Sequence, residues 1–388
     1  MREQLAKGID ATRARLDTIE TQRDEKKASA EKQRQAIKFS DVFLQWQEAE
    51  LQPRIRADGR RIGRKDGGRY IREQFERHAF ASLGSMPIGE IRKADVFAIL
   101  DAQVAAGKLR TANVLLADLK QLFRFAAERE IIPASPIDSI KKNKVGGADV
   151  ERNRVLSEPE LAELAKAIES SGLSRRYALA IWLILATGVR VGELVGAAWS
   201  DAVTDARDLR EVADSINVKF GTVNLSDRTW FLPDTKNQRH HKVHLSPFAA
   251  AVLDELRQSG THHIWLFPDR TGLRPIDSHE FGKQLGDRQR VGKVPLKNRT
   301  KKTVGLVLSG GKWTAHDLRR TAATIMATLG ISNDVINECL NHIQNDRMSR
   351  VYIRDRRETE QARAFDVLGE KLASIVSSPK YPSGLSKF

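Results

Sequence analysis

The chain has 388 residues, which is too long for one ordinary hydrophobic core and predicts two or three domains. Lysine and arginine number 65 against 50 aspartates and glutamates, and the formal charge of +15 favours a polyanionic partner such as nucleic acid. The single cysteine excludes an intrachain disulfide, no Cys/His cluster has zinc spacing, and no run of about 18 apolar residues could span a membrane. We therefore expect a protein of the reducing cytoplasm with no membrane partner.

Residues 1–37 predict one polar helix, because a thin apolar stripe runs through a segment that is otherwise charged or small. Residues 38–140 predict a small helical domain that ends where Pro133 and Pro136 cannot continue a helix. Apolar residues at helical spacing place four helices in it: one with Ser40 as its N-cap, one through 70–78, one over about 93–106 and one from Thr111.

The charged, glycine-containing stretch 141–154 has no periodicity and predicts a linker. A second domain is expected over 155–362, and its first helix carries a capping box formed by Ser157 and Glu160. The following helix is apolar on nearly every side over 178–186, which is typical of the buried helix of a larger core.

Strand-like runs at 228–233 and 241–246 predict a hairpin with a basic turn. Residues 270–312 are basic and rich in turn signals, and a loop of that length is usually functional or disordered. We leave open whether it contacts DNA or is a floppy insertion. Three helices are expected after it, through 314–329, around 335–340 and over about 356–376.

TGVRVGE at residues 187–193 places Arg190 directly after the buried helix, at a break flanked by glycines. Gly188 and Gly192 are expected to allow a sharp turn and the close approach of another backbone. Glu193 is the candidate partner of Arg190. A structural ion pair and an arginine held rigidly for a ligand both remain open.

TAHDLRRTAA at residues 314–323 puts His316 and Arg319 on one face of a helix, where two donors side by side require an anion opposite them. Lys236 lies near the tip of the predicted hairpin, a position that is usually a solvated loop. His342 follows an apolar helix, and Tyr352 comes ten residues later among five arginines, whose charge favours the phenolate.

Two arginines, two histidines, a lysine and a tyrosine form one set, with no carboxylate pair, metal cluster or P-loop beside them. Arginine forks bind phosphate oxygens, and fixed cations stabilise the charge that a phosphodiester develops under attack. Tyrosine can act as a covalent nucleophile, and lysine can protonate a leaving 5′ oxygen. The set predicts metal-independent transesterification at a DNA phosphate through a phosphotyrosine, without a cofactor.

The order TGxRxGE, hairpin lysine, HxLRR, histidine and tyrosine resembles the tyrosine recombinases, or phage-type integrases, over residues 38–370. The resemblance implies a site-specific recombinase that integrates or excises a mobile element. It implies the phosphate clamps Arg190 and Arg319, the general acid Lys236, the phosphate-bonding and proton-handling pair His316 and His342, and the nucleophile Tyr352.

The resemblance also implies a mainly α fold with a small β-sheet, in which a helical core-binding domain (38–140) and a catalytic domain (155–362) form a C-shaped clamp on DNA. Four protomers would assemble on double-stranded attachment sites, with room for an accessory DNA-bending or directionality factor. Residues 1–37 would be a connector or remnant of an arm-binding domain. An apolar stripe in the tail 363–388 leads us to expect a contact between protomers.

Two rival functions remain open. A type IB topoisomerase or a resolvase of DNA ends would use similar chemistry, although the separate core-binding domain and the motif spacing favour a recombinase. A regulator or architectural protein derived from a recombinase would bind DNA without cutting it. Loss of the catalytic function would be expected to change some of the catalytic residues, whereas all six positions here carry the expected residue type.

Overall fold

The structure is a computed structural model that describes residues 36–58, 61–148, 152–235, 240–260, 264–342 and 357–377, together with residues 15, 18–26 and 29. The chain divides into two compact units, residues 1–151 and 152–388, and this division falls within the predicted linker. Residues 15, 18–26 and 29 are helical and exposed, as expected of a polar helix.

In its described residues, the first unit combines helices with a small antiparallel hairpin, and its mostly aliphatic core includes a group of aromatic side chains such as Phe43, Phe75 and Phe123. Its elements in chain order are α1 Phe39–Trp46, a π-helical turn Gln47–Leu51, β1 Arg54–Ile55, β2 Arg61–Ile62, α2 Arg69–His78, α3 Phe80–Leu83, a 3-10 turn Ile88–Glu90, α4 Lys93–Ala105, α5 Leu109–Glu128 and a 3-10 turn Lys142–Lys144.

The predicted N-cap of the first helix is wrong. Helix α1 begins at Phe39, one residue before Ser40, and no side chain caps it. The backbone N–H groups of Phe39 and Ser40 instead donate to the carbonyls of Met86 and Gly84 at 2.9 and 3.1 Å. These bonds satisfy donors that a helix N terminus otherwise leaves unpaired, so a capping side chain is not required.

The second unit combines helices with one small sheet. The sheet has the strand order β3-β4-β5-β6, with β3 parallel to β4 and the other pairs antiparallel. Its elements are α6 Glu158–Ser170, α7 Arg175–Thr187, α8 Val191–Val195, β3 Ala197–Trp199, a 3-10 turn Ser200–Ala202, α9 Ala206–Ser215, β4 Gly221–Asn224, β5 Thr229–Leu232, β6 His241–His244, α10 Pro247–Ser259, α11 Ser278–Asp287, α12 Ala315–Thr328, α13 Asn333–Cys339 and α14 Glu358–Val376.

The mainly helical fold with a small sheet is thereby confirmed, and the predicted hairpin is β5–β6. The predicted buried helix is α7, in which every side chain from Tyr177 to Thr187 is buried. The capping box of Ser157 and Glu160 begins α6 as predicted. Helices α10 and α12 pack against α7, so the rigid centre of this core supports the helix that carries His316.

The expectation of one long irregular segment over 270–312 is wrong. Helix α11 lies inside it, and Phe281 and Leu285 of that helix are buried together with Leu306 and Leu308 further along. The sequence hides α11 because only two of its ten residues face the core and two others are glycines. The segment is therefore packed on the second unit rather than floppy at these positions.

The apolar stripe near the C terminus also requires a correction. Phe365, Leu368, Leu372 and Ile375 lie on α14 and are buried in the core of the chain's own second unit. They are therefore not available as the expected contact between protomers. Helix α14 crosses the predicted boundary at 362, and residues 378–388 lie outside the described part of the chain.

Candidate active site

Arg190 lies at the junction between α7 and α8. Helix α7 ends at Thr187, and Gly188 adopts a left-handed φ of +62°, which turns the chain. The backbone N–H of Arg190 donates to one carboxylate oxygen of Glu193 at 2.8 Å, and its Nη1 donates to the other at 2.8 Å. Glu193 is buried, whereas the guanidinium is partly exposed. The structural ion pair therefore exists and holds Arg190 in one orientation at the surface.

The sharp turn expected of these glycines occurs at Gly188, but the expected close approach of another backbone occurs at neither Gly188 nor Gly192. A Cβ on Gly188 would lie 2.6 Å from Cδ2 of Leu340, whereas a Cβ on Gly192 would meet nothing within 4 Å. The prediction for Gly192 is wrong because this residue lies in α8 with open space beside it. A close approach of another backbone occurs instead at Gly196, outside the motif, where a Cβ would collide with the carbonyl oxygen of Lys219.

Arg319 is buried on α12, with 4% of its surface exposed. Its two terminal nitrogens donate to the carbonyl oxygens of Gly188 and Leu340, which cap the C termini of α7 and α13. Carbonyls at helix C termini carry partial negative charge and favour a cation. Burial and, to a smaller extent, the charge of Arg190 together lower the pKa of Arg319 to about 10, so the side chain remains cationic at neutral pH.

His342 follows α13 and lies within reach of the same charges. Its Nδ1 is 3.1 Å from Oδ1 of Asn337, and part of the side chain is open to solvent. Burial of the rest, followed by the charges of Arg319, Arg190 and His316, lowers the pKa of His342 to about 4. The imidazole is therefore neutral at pH 7 in the free protein.

His316 is the partly exposed neighbour of Arg319 on α12. Burial of part of the ring lowers the pKa of His316, and the cations Arg320 and Arg319 lower it further. The site thus combines fixed guanidinium groups with neutral imidazoles. Such a set can bind an anion, and its neutral imidazoles can donate a hydrogen bond or accept a proton.

The structure brings together four of the six predicted site residues. Arg319 donates to the carbonyl of Gly188, two residues before Arg190, and to the carbonyl of Leu340, two residues before His342. Both arginines also act electrostatically on His316 and His342. The other two predicted residues, Lys236 and Tyr352, lie outside the described residues.

Comparison with known protein families gives the relationship directly. The model of the phage integrase family matches residues 154–359, which is more than half of the chain. The model of the phage integrase central domain matches residues 39–143. The chain belongs to the phage integrase family. The resemblance to tyrosine recombinases is thereby confirmed, and the residues of the candidate site in the second unit all fall within the matched segment.

Individual relatives of this phage integrase-family protein are distant. The prophage integrase IntA of Escherichia coli (strain K12) is 24% identical over 289 residues, which are 73% of this chain and 60% of IntA, so the chain spans less than two thirds of that relative. A lambda integrase dimer bound to a COC′ core site has a TM-score of 0.56 at 18% identity, covering 85% of this chain and 82% of that one. A lambda integrase tetramer bound to a Holliday junction has a TM-score of 0.57 at 18% identity, covering 81% and 77%. At these identities the likeness shows a shared fold.

Two residues that support α12 are absent from the predicted site residues. Asp317 is fully buried and accepts from the backbone N–H and the Oγ1 of Thr314 at 2.8 and 2.9 Å, which closes a capping box. Arg152, near the end of the predicted linker, pairs with Asp317 at 2.8 Å and donates to the carbonyl of Lys312 at 2.7 Å. The spacing of Thr314 and Asp317 is a cap signal that the sequence carries, whereas nothing local indicates Arg152.

Within the described ranges, no three His, Cys, Asp or Glu side chains form a group that could hold a metal ion. The helices of those ranges include none with the length and apolar character needed to cross a bilayer.

Proposed function

We propose that this phage integrase-family protein is a site-specific DNA recombinase that integrates or excises a mobile element through a 3′-phosphotyrosine. The observation that carries the proposal is the convergence of Arg190, Arg319, His316 and His342 where α7 and α13 end. This convergence supplies two fixed cations and two neutral imidazoles to one anionic ligand. A DNA phosphate has the charge and the geometry that such a set recognises.

Arg190 and Arg319 would each donate to non-bridging oxygens of the scissile phosphate. A guanidinium has five N–H donors, and carbonyls occupy two nitrogens of Arg319 while Glu193 occupies one of Arg190, so donors remain on both. Charge on these oxygens increases as the phosphorus is attacked. Preorganised cations therefore stabilise the transition state more than the ground state.

Tyr352 would attack the phosphorus, and the bond from phosphorus to the 5′ oxygen would break as the new bond to the tyrosine oxygen forms. Lys236 would give a proton to the leaving 5′ oxygen, and the neutral pair His316 and His342 would hydrogen-bond the phosphate and accept a proton from the phenol. One phosphodiester replaces another, so the reverse step rejoins DNA without an energy source.

The DNA sites and the assembly are part of the same proposal. The charge of +15 favours a duplex partner. The neighbouring lambda integrase structures are described as a dimer on a core site and a tetramer on a Holliday junction. We propose a tetramer on two attachment sites for this chain as well, with the helical unit as core-binding domain and with an accessory DNA-bending or directionality factor as a further partner.

The test traps the covalent intermediate. Duplexes bound by the protein are selected from a randomised pool, and each is then nicked at successive positions, so that a short fragment diffuses away after cleavage. We expect a DNA–protein adduct on a denaturing gel with the native chain and none with Tyr352→Phe. Tyr70→Phe is the matched control, because Tyr70 is an exposed tyrosine of the other unit.

Other outcomes decide between the alternatives. An adduct from all three proteins would assign the nucleophile to a different residue. Tight binding without an adduct from the native chain would overturn the proposal in favour of a DNA-binding regulator or architectural protein. Adducts spread over unrelated sequences would favour a topoisomerase-like enzyme, because a recombinase cleaves at a defined site.

A further inference from the structure

A third residue at the end of α13, beside Leu340 and His342, also bears on the candidate site. Between them lies Asn341, whose φ of +49° is in the left-handed region. Few side chains adopt this conformation, and asparagine is among those that tolerate it best. Asn341 therefore makes the turn that separates the carbonyl bound by Arg319 from the imidazole of His342.

The side chain of Asn341 also reaches another element. Its Nδ2 donates to Oγ1 of Thr235 at 2.8 Å, and Thr235 is fully buried. Thr235 follows β5, and the next residue in the chain is Lys236. On the other side of residues 236–239, the buried Nε2 of His241 in β6 lies 3.1 Å from the carbonyl oxygen of Cys339. Both flanks of this segment are thus bonded to residues at the C-terminal end of α13, Cys339 within the helix and Asn341 just after it.

We propose that Asn341 is a positioning residue that fixes the stem of the β5–β6 hairpin to the end of α13 and so sets Lys236 in register with Arg319 and His342. The inference rests on the proposed function, in which Lys236 protonates the leaving oxygen. A general acid acts only within hydrogen-bond reach of the atom that it protonates. A lysine on a long flexible side chain depends on its backbone for that placement.

Two substitutions remove the bond between Asn341 and Thr235. Asn341→Gly keeps the left-handed turn, because glycine adopts positive φ freely, and deletes only the amide. Thr235→Val keeps the branched shape and deletes the hydroxyl. Thr235→Ser is the conservative variant, because it retains an Oγ that the Asn341 amide can reach.

The decisive readout compares two leaving groups. The ordinary substrate releases a 5′ oxygen, which needs a proton, whereas a substrate with sulfur at the bridging 5′ position releases a thiolate, which needs none because a thiol has a pKa near 8.5. Cleavage rates are measured at saturating DNA for each protein on both substrates. Lys236→Ala defines the loss of the general acid, and Arg190→Lys defines a defect that the sulfur does not repair.

We expect Asn341→Gly and Thr235→Val to slow cleavage of the ordinary substrate by about 100-fold, as a misplaced catalytic group does, and to cleave the sulfur substrate at nearly the native rate. Thr235→Ser should cleave both substrates at rates close to native. Rescue by sulfur would show that the substitutions act through the placement of Lys236. A substitution that damaged the whole site would slow cleavage of both substrates equally.

Four outcomes would overturn the inference. Equal slowing of Asn341→Gly on both substrates would mean that the bond supports the whole site, and native rates on both would mean that it supports nothing. A Lys236→Ala variant that sulfur does not rescue would remove the general acid on which the inference depends. If the native chain forms no adduct with either substrate, the proposed function itself fails and the inference fails with it.

Discussion

The two arginines of the candidate site are held in opposite ways. Arg190 is partly exposed, and a carboxylate of Glu193 lies 2.8 Å from its guanidinium. Arg319 is buried, and among the residues that the structure describes its hydrogen-bond acceptors are two backbone carbonyls, those of Gly188 and Leu340. Both arrangements fix a planar guanidinium in place, but they differ in what they do to its charge.

A carboxylate cancels the charge of the arginine that it orients, whereas a carbonyl satisfies the donor and leaves the charge in place. A buried cation without a counter-ion is unfavourable, and the depressed pKa of Arg319, about 10, reflects this. A bound phosphate would supply the missing counter-ion. The comparison indicates that Arg319 provides most of the uncompensated positive charge, whereas Arg190 provides a precisely oriented donor at lower net charge.

The largest difference is expected when each arginine is replaced by lysine. Arg319→Lys cannot span two carbonyls, and one unpaired buried carbonyl should lower the free energy of unfolding by about 1–3 kcal/mol. Arg190→Lys retains a cation beside Glu193, so its unfolding free energy should change by less than about 1 kcal/mol. Both variants should form the covalent adduct more slowly, by about 10²–10³-fold, if each arginine donates in the transition state.

Urea unfolding and the rate of adduct formation measure the two effects separately. The comparison would fail if both variants were destabilised equally, because the carbonyl anchors would then contribute no more than the exposed ion pair. The difference between the two arginines would be supported if Arg319→Lys lowered both the free energy of unfolding and the rate of adduct formation, while Arg190→Lys lowered only the rate.

The next difference concerns the glycine beside each arginine. Gly188→Ala would force a Cβ into a left-handed conformation, at about 1–2 kcal/mol, and place it 2.6 Å from Leu340. Gly192→Ala is the matched control, since a Cβ there meets nothing within 4 Å and alanine favours a helix over glycine by about 0.5–1 kcal/mol. Thermal unfolding should show a lower Tm for the first variant and an equal or higher Tm for the second. Equal losses would contradict the difference in packing.

The same contrast explains what the sequence could predict. Arg190 and Glu193 are three residues apart, so their pairing follows from helix geometry and was open to inspection of a short motif. The bonds of Arg319 join residues 131 and 21 positions apart, and their acceptors are backbone atoms that leave no trace in side-chain identity. The position of Arg319 on a helix was predictable, but its anchors were not.

Secondary structure shows the same limit. Helix α7 was predictable because a long run of consecutive apolar residues has no other stable location than a core. Strands β5 and β6 have four residues each and were predictable as two strand-like runs joined by a turn. Strand β3 instead pairs with β4 in parallel, so no hairpin turn marks that pair, and the sequence did not reveal these two strands. The Asn341–Thr235 bond joins residues 106 positions apart and required the fold to be seen.

A smaller effect is expected on the titration of His342, which is influenced by both arginines. Its pKa is lowered from 6.5 to about 4, first by burial and then by Arg319 and Arg190 in that order. Between these values the unfolded chain binds the proton more readily, so this group contributes stability above pH 6.5 that is lost as the pH falls toward 4. Because Arg319 lowers the pKa of His342 more than Arg190 does, Arg319→Gln should raise this pKa more than Arg190→Gln.

Imidazole proton signals followed by NMR against pH provide the measurement, with His342→Ala to assign the resonance. A bound DNA phosphate should raise the same pKa, because an anion stabilises the imidazolium. The opposite order of the two arginine variants would show that Arg190, not Arg319, dominates the local potential.

The smallest effect is expected from Glu193→Gln, which removes the charge that compensates Arg190. The glutamine oxygen can still accept the backbone N–H of Arg190, as Glu193 does at 2.8 Å, so the start of α8 should persist. The uncompensated guanidinium should then bind phosphate more strongly, and the slope of log affinity against log salt should steepen by up to about 1 unit.

Fluorescence anisotropy with labelled duplex at several salt concentrations measures this slope. Glu255→Gln is the matched control, because it removes the carboxylate partner of Arg175, an arginine outside the candidate site. An unchanged slope in Glu193→Gln would mean that Arg190 makes no phosphate contact in the bound ground state. Arg190 would then act only in the transition state, and the distinction between the two arginines would be one of timing as well as of charge.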